Sequence, residues 1–155
     1  MQLTSLKKHL QSYFKLDKKG LDKISSCFEL MKLEKNEYFL KEYALSKKLG
    51  FIHSGILREY TSDKNGKEVT KWISTESFFV MDIISFYFHV SARWNIQALT
   101  DCEIHVTDKS TLSELSDQIK NWDQIEKLFI VKCFGLLEER IVNQKSLNVE
   151  ERYEK

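Results

Sequence analysis

Apolar residues fall into three regimes along the chain. In Leu3–Phe14 they recur at Leu3, Leu6, Leu10, Tyr13 and Phe14. This is the three-and-four spacing of one helix face, with Ser or Thr available near the start as a cap. A second short helix is expected over Asp22–Cys27, with Leu21 and Ile24 facing inward. From Phe28 to Asp108 the pattern changes to short β-rich runs. Gly50–Thr61 and Val69–Ile73 flank the stretch S-D-K-N-G-K-E. Its Asn65-Gly66 pair predicts a hairpin, because both residues tolerate positive φ. Asn95–Leu99 and Cys102–Thr107 are two further short runs joined at Thr100-Asp101. Many short strands separated by turns predict a closed roll or sandwich. The chain has no proline, so glycine, asparagine and aspartate carry its turns.

The last regime is helical. Thr111–Gln118 reads as one or two turns, with Ser110 or Thr111 as cap and Glu114 closing a capping box. Asn121–Ser146 then reads as one long helix whose centre, Leu128–Leu137, is apolar on nearly every face. Such a helix has to be covered on two sides. The roll covers one; an identical helix of a second subunit is expected on the other, giving a two-fold homodimer. The expected interface residues are Ile125, Phe129, Lys132, Cys133, Leu136 and Arg140. Gly135 costs the helix about 1 kcal/mol relative to alanine, which a close helix approach would offset.

Composition narrows the classes. With 155 residues, 42% of them apolar and 30% charged, the chain is one ordinary soluble domain. A formal charge of +1 argues against a global attraction to nucleic acid or anionic membrane. Cys27, Cys102 and Cys133 lie far apart with no C-x-x-C pair, which excludes a disulfide framework or zinc ribbon. The start is amphipathic, unlike a signal peptide. The longest apolar run, Phe78–Val90, is too short to span a bilayer and carries Asp82 and His89. A cytoplasmic location is expected.

Three stretches carry a resemblance to a known family. Phe51–Tyr60 resembles the "y-i-x-x-G-x-x-r-x-y" strand of Crp/Fnr sensor domains, Asp63–Glu68 their "d-x-x-G-k-e" hairpin, and Gln97–Ile104 their "x-A-l-t-d-c-e-v" strand pair. The resemblance implies an α+β, mainly β fold. This is a double-stranded β-helix, or jelly roll, with N-terminal helices at 1–27, the β-roll at 28–108 and C-terminal helices at 110–146. Leu147–Lys155 resembles the segment that opens the family's helix-turn-helix domain. It implies a sensor domain whose contact with DNA would go through a domain absent from these residues.

In the family, a Gly-Glu pair and a following Arg-Ser/Thr-Ala run grip the cyclic nucleotide. The glycine admits backbone N–H groups, the glutamate takes the ribose, and the arginine neutralises the phosphate. Aligned on Ala98-Leu99-Thr100, the Gly-Glu positions fall on Val80-Met81 and the arginine position on Ala92. Asp82 and Arg93 each sit one residue late. Cyclic AMP and cyclic GMP are therefore not expected to bind in the usual way, and no cofactor is expected. An unknown small-molecule effector would meet Met81, Asp82, Arg93, Trp94 and Asn95, with Arg58 as an extra cation. Asp82 and Arg93 could instead pair with each other as a structural clamp. The alternatives are a cupin-like, metal-dependent enzyme using His53, His89 and His105, and a ligand-free dimerisation module whose roll is filled by its aromatic residues. The leading expectation is a non-enzymatic regulatory sensor.

Overall fold

A computed structural model describes residues 3–153, with side chains described to residue 146. The element order is α1 (Thr4–Phe14), α2 (Lys18–Ser26), β1 (Glu29–Leu33), β2 (Tyr38–Leu40), β3 (Lys48–Ser54), β4 (Leu57–Ser62), β5 (Glu68–Ser74) and β6 (Phe79–Val80). Then follow α3 (Ile83–Phe88), β7 (Asn95–Ala98), β8 (Cys102–Asp108), α4 (Lys109–Ser116) and α5 (Trp122–Tyr153). The strands form two four-stranded antiparallel sheets, ordered β1-β8-β3-β6 and β2-β7-β4-β5. This is the expected roll, flanked by helices on both sides in sequence.

Alternation along the strands builds two cores. One lies between the sheets, around Ile52, Leu57, Val80, Ile96 and Ile104. The other lies where the first sheet meets the helices, around Leu6, Phe14, Phe51, Phe86 and Phe129. Phe51 and Ile52 are neighbours on β3, and each is fully buried in a different core. That is the mark of a strand covered on both faces.

Local chemistry differs from expectation in several places. The β4–β5 hairpin turns at Asp63–Gly66 with only Gly66 at positive φ, +79°. Asp63 Oδ1 accepts from the Asn65 and Lys67 amides. The turn is thus pinned by aspartate and relaxed by one left-handed glycine, so Asn65 stays out of the left-handed region. Helix α2 starts four residues earlier than expected because Asp17 caps it, accepting from Gly20 N at 2.7 Å. Among the described residues no side chain caps α1 or α4, so the expected Ser/Thr caps do not form. Helix α5 runs unbroken through Tyr153, past the expected boundary at Ser146. Of the expected boundary segment Leu147–Lys155, the last two residues lie outside the described ones.

The stripe of α5 expected to meet a partner is turned toward its own chain. Phe129 is 8% exposed and packs edge-on against Phe79, 5.1 Å between ring centroids. Ile125 and Cys133 border the same core. Leu136 and Arg140 face a cavity, and Lys132 lies over the Tyr13 ring. The open side carries Leu128, Val131, Ile141 and Val142, of which Val131 and Val142 are 57% and 60% exposed, and Phe134 stands at the rim of the cavity. An all-round apolar helix has two stripes, and sequence spacing alone does not say which one the roll takes. Among the described residues, the neighbouring turns of α5 aside, nothing lies within 4 Å of the place a Cβ would occupy at Gly135.

Candidate functional site

The site is assembled where β6 ends and the chain turns into α3. Val80 pairs with Gly50 of β3 and is buried between the sheets, and Met81 follows at the edge of a cavity. Asp82 is 1% exposed and caps α3. Its Oδ1 accepts from Ile84 N at 3.1 Å and Ser85 N at 3.3 Å. Its Oδ2 accepts from Arg93 N at 2.7 Å, and the Arg93 guanidinium donates Nη2 to Oδ1 at 3.0 Å. Backbone around the pair is tied down as well. Asp82 N donates to Ser46 Oγ, Ser46 N donates to Ser85 Oγ, and Ala92 exchanges backbone bonds with Tyr43 and Ala44.

Burial on its own would raise the Asp82 pKa. The Arg93 hydrogen bonds, the Ser85 amide and the Arg93 charge outweigh it and hold the carboxyl below the usual aspartate value. The result is an anion already seated at a helix N-terminus, with an arginine and three backbone N–H groups around it. Asp82 and Arg93 are therefore joined directly. Ala92, the position expected to align with the arginine, points into the roll at 2% exposure.

Beside this pair lies a cavity of about 500 Å³. Its walls are the β5 residues Lys71 and Trp72, the β6–α3 turn, Arg93 and Trp94, and the roll-facing side of α5 down to Arg140. Glu59 is 3% exposed and lines it, with Oε2 in an ion pair 3.0 Å from Lys71 Nζ. Lys71 also lies over the rings of Trp72 and Trp94, at 4.5 and 4.7 Å from their centroids. The Arg140 guanidinium stacks on Trp72 at 3.9 Å and on Phe78 at 4.3 Å. Arg140 Nη1 and Trp94 Nε1 are buried without a hydrogen-bond partner, and Trp72 Nε1 approaches Glu59 outside good geometry.

Desolvation pushes the Glu59 carboxyl up, and Lys71 and Arg140 only partly counter it. A raised folded-state pKa means that the folded state holds this proton more tightly than the unfolded chain. Glu59 therefore takes stability away as pH rises from the ordinary glutamate value through the folded one. The stability of Glu59→Gln relative to the wild type should accordingly improve across that window. Denaturant titrations at stepped pH check this; a difference that is flat or falls with rising pH would contradict it.

Of the expected ligand residues, Met81, Arg93 and Trp94 border the cavity, with Asp82 behind Arg93. Two do not. Arg58 points to the outer face of the hairpin, where Nη1 donates to Glu68 Oε2 at 2.6 Å and Nε to Thr70. Asn95 ties down the loop after β2, accepting from Glu42 N at 2.9 Å. Sequence reading missed Glu59, Lys71 and Trp72. The available signal was an acid inside an otherwise β-rich run, directly opposite a Trp on the paired strand. Among the described residues no group of three or more His, Cys, Asp or Glu is placed to hold a metal. His53 and His105 do pack together, 5.4 Å between ring centroids. His89 ends α3 beside Lys109, whose ammonium also bonds the Phe86 carbonyl.

Comparison with known proteins places this arrangement. The family model for the cyclic nucleotide-binding domain matches residues 30–118, more than half of the chain. The chain belongs to the cyclic nucleotide-binding domain family. Solved structures agree on the fold. The Thermus thermophilus catabolite activator protein aligns with a TM-score of 0.70 at 15% identity, over 90% of this chain and 63% of that one. The N-terminal domain of a Streptomyces coelicolor A3(2) transcriptional regulator aligns with a TM-score of 0.71 at 12% identity, over 88% and 94%. The sensor domain of the transcriptional regulator DNR from Pseudomonas aeruginosa gives 0.68 at 17%, over 90% of both chains. The chain thus spans less than two thirds of the Thermus regulator and about the whole of the two isolated sensor domains. No curated protein sequence matches it. No helix among the described residues is long and apolar enough to cross a membrane.

Proposed function

We propose that this domain is a regulatory sensor of the Crp/Fnr kind whose phosphate cassette is occupied by its own aspartate. It does not take cyclic AMP or cyclic GMP in the usual way. The observation that carries this reading is the Asp82 carboxylate, which uses the α3 N-terminal amides, the Arg93 amide and the Arg93 guanidinium. These are the kinds of donor that a cyclic phosphate would need. A nucleotide would have to displace a buried, fully hydrogen-bonded carboxylate from its arginine, and Val80-Met81 offers neither the open backbone nor the ribose acceptor. The effector site is then the adjoining cavity, roofed by α5. Because the opposite side of α5 is apolar and exposed, the same helix joins two copies in a homodimer and links the effector to subunit geometry.

A thermal-shift titration with both cyclic nucleotides tests the proposal. No saturable stabilisation is expected, since a ligand at one hundred times its Kd would add about 2.7 kcal/mol and be plainly visible. A saturable shift that disappears in Arg93→Ala would overturn it.

A further inference from the structure

The cavity beside Asp82 has a polarity pattern that specifies a ligand class, on the reading that this cavity is the effector site. Its cations can be counted against their partners. Arg93 is taken by Asp82 and Lys71 by Glu59. Lys132 lies exposed over Tyr13. Arg140 is left: its guanidinium lies over the rings of Trp72 and Phe78, and Nη1 is buried with no acceptor among the described residues. Glu59 is the acid nearest in effect, and it is already committed to Lys71. Burial accordingly pulls the Arg140 pKa down, with Glu59 countering only in part. A buried donor on a charged group left without an acceptor is among the more expensive defects a fold can carry. A second orphaned donor, Trp94 Nε1, borders the same space. The remaining wall, including Phe78, Phe79, Ile83, Phe134 and Leu137, is apolar. At about 500 Å³ the space falls in the range of small-molecule sites.

We propose that this cavity binds a small apolar monocarboxylate that carries a second hydrogen-bond acceptor. Its carboxylate meets the Arg140 guanidinium, its second acceptor takes Trp94 Nε1–H, and its aromatic or branched body lies against Phe78 and α5. One negative charge matches one uncompensated cation. A phosphate monoester brings about −1.5 to −2 charges and would leave charge unmatched. The stacking of Arg140 holds its guanidinium plane fixed, so its edge presents N–H groups in the planar geometry a carboxylate accepts.

The test uses 3-benzoylpropionate, an aromatic keto acid, and follows tryptophan fluorescence, since Trp72 and Trp94 line the cavity. Saturable quenching is expected with the acid. The neutral amide of the same compound should bind about tenfold more weakly or worse, the loss expected for one hydrogen bond to a charged group. Arg140→Gln should weaken the acid by about ten- to hundredfold and leave the amide unchanged. If that variant does not fold, Arg140→Lys keeps the charge, loses the planar fork and should give a smaller loss. Trp94→Phe should weaken the keto acid and spare 4-phenylbutyrate, which lacks the ketone. Equal binding of acid and amide, indifference to both Arg140 variants, or no binding of either acid would overturn the proposal. Cyclic AMP is titrated alongside. If it binds in an Arg93-dependent way, the self-occupied cassette falls; if neither it nor the acids bind, only the ligand class falls.

Discussion

Replacing Asp82 with alanine is expected to lower the melting temperature by about 6–12 °C, the shift that corresponds to a loss of about 3 kcal/mol in a domain of this size. Two losses combine. Removing the cap of α3 costs about 1 kcal/mol, and stranding the Arg93 amide, which now donates to Oδ2 at 2.7 Å, costs about 1–3 kcal/mol more. The guanidinium adds little, because the Arg93 side chain is 45% exposed and water can take over. Asp82→Asn keeps an acceptor for the cap but sets its NH2 against the Arg93 N–H, so it should still lose the about 1–3 kcal/mol of the stranded amide and spare only the cap. The pH dependence follows from the depressed folded-state pKa. The contribution of Asp82 is complete above the ordinary aspartate value and is lost as pH falls through the lower, folded one. Thermal unfolding of wild type and Asp82→Ala at stepped acidic pH should therefore converge. Parallel curves across that window would mean that Asp82 is not held as an ion.

Introducing two glutamates on the open stripe of α5, Val131→Glu with Val142→Glu, is expected to leave the fold intact and abolish self-association. Both side chains are more than half exposed in the single chain, so neither substitution touches the core. In a two-fold pair each charge would be buried opposite its own copy, and a combined loss of several kcal/mol raises the dissociation constant by a hundredfold or more, at about 1.4 kcal/mol per tenfold. Sedimentation should show a wild-type dimer and a monomeric variant with unchanged far-ultraviolet circular dichroism. Phe129→Ala provides the contrast. It removes a ring from the chain's own core and should destabilise by about 3–5 kcal/mol. A wild type that is monomeric throughout would remove the dimer from this account.

The roll itself was legible because its turns are written in residue chemistry. Asp63 and Gly66 announce a hairpin whichever turn type forms, and Gly55 at φ +98° sits against Asp101 O with no room for a side chain. The segment between the hairpin's return strand and Gln97–Ile104 was marked out for the same reason. Three-dimensional partners were harder to read. Arg58 and Glu59 are adjacent, yet β-strand alternation sends the arginine to the hairpin's outer face and the acid into the cavity. Asn95 begins β7 and is spent on Glu42, 53 residues earlier. On α5, spacing identified two apolar stripes, and only the roll's own position decides which is inside. Asp82 and Arg93 were marked as a lone acid and a lone cation in an apolar run, and the fold brings the two together.

The most direct measurement of the self-occupied cassette is the titration of the Asp82 side-chain carboxyl by carbon-detected nuclear magnetic resonance, in the wild type and in Arg93→Ala. The account predicts a wild-type pKa below the ordinary aspartate value that rises when Arg93 is removed and does not respond to added cyclic AMP. A wild-type Asp82 that titrates at or above the ordinary value, or moves on addition of the nucleotide, would contradict it.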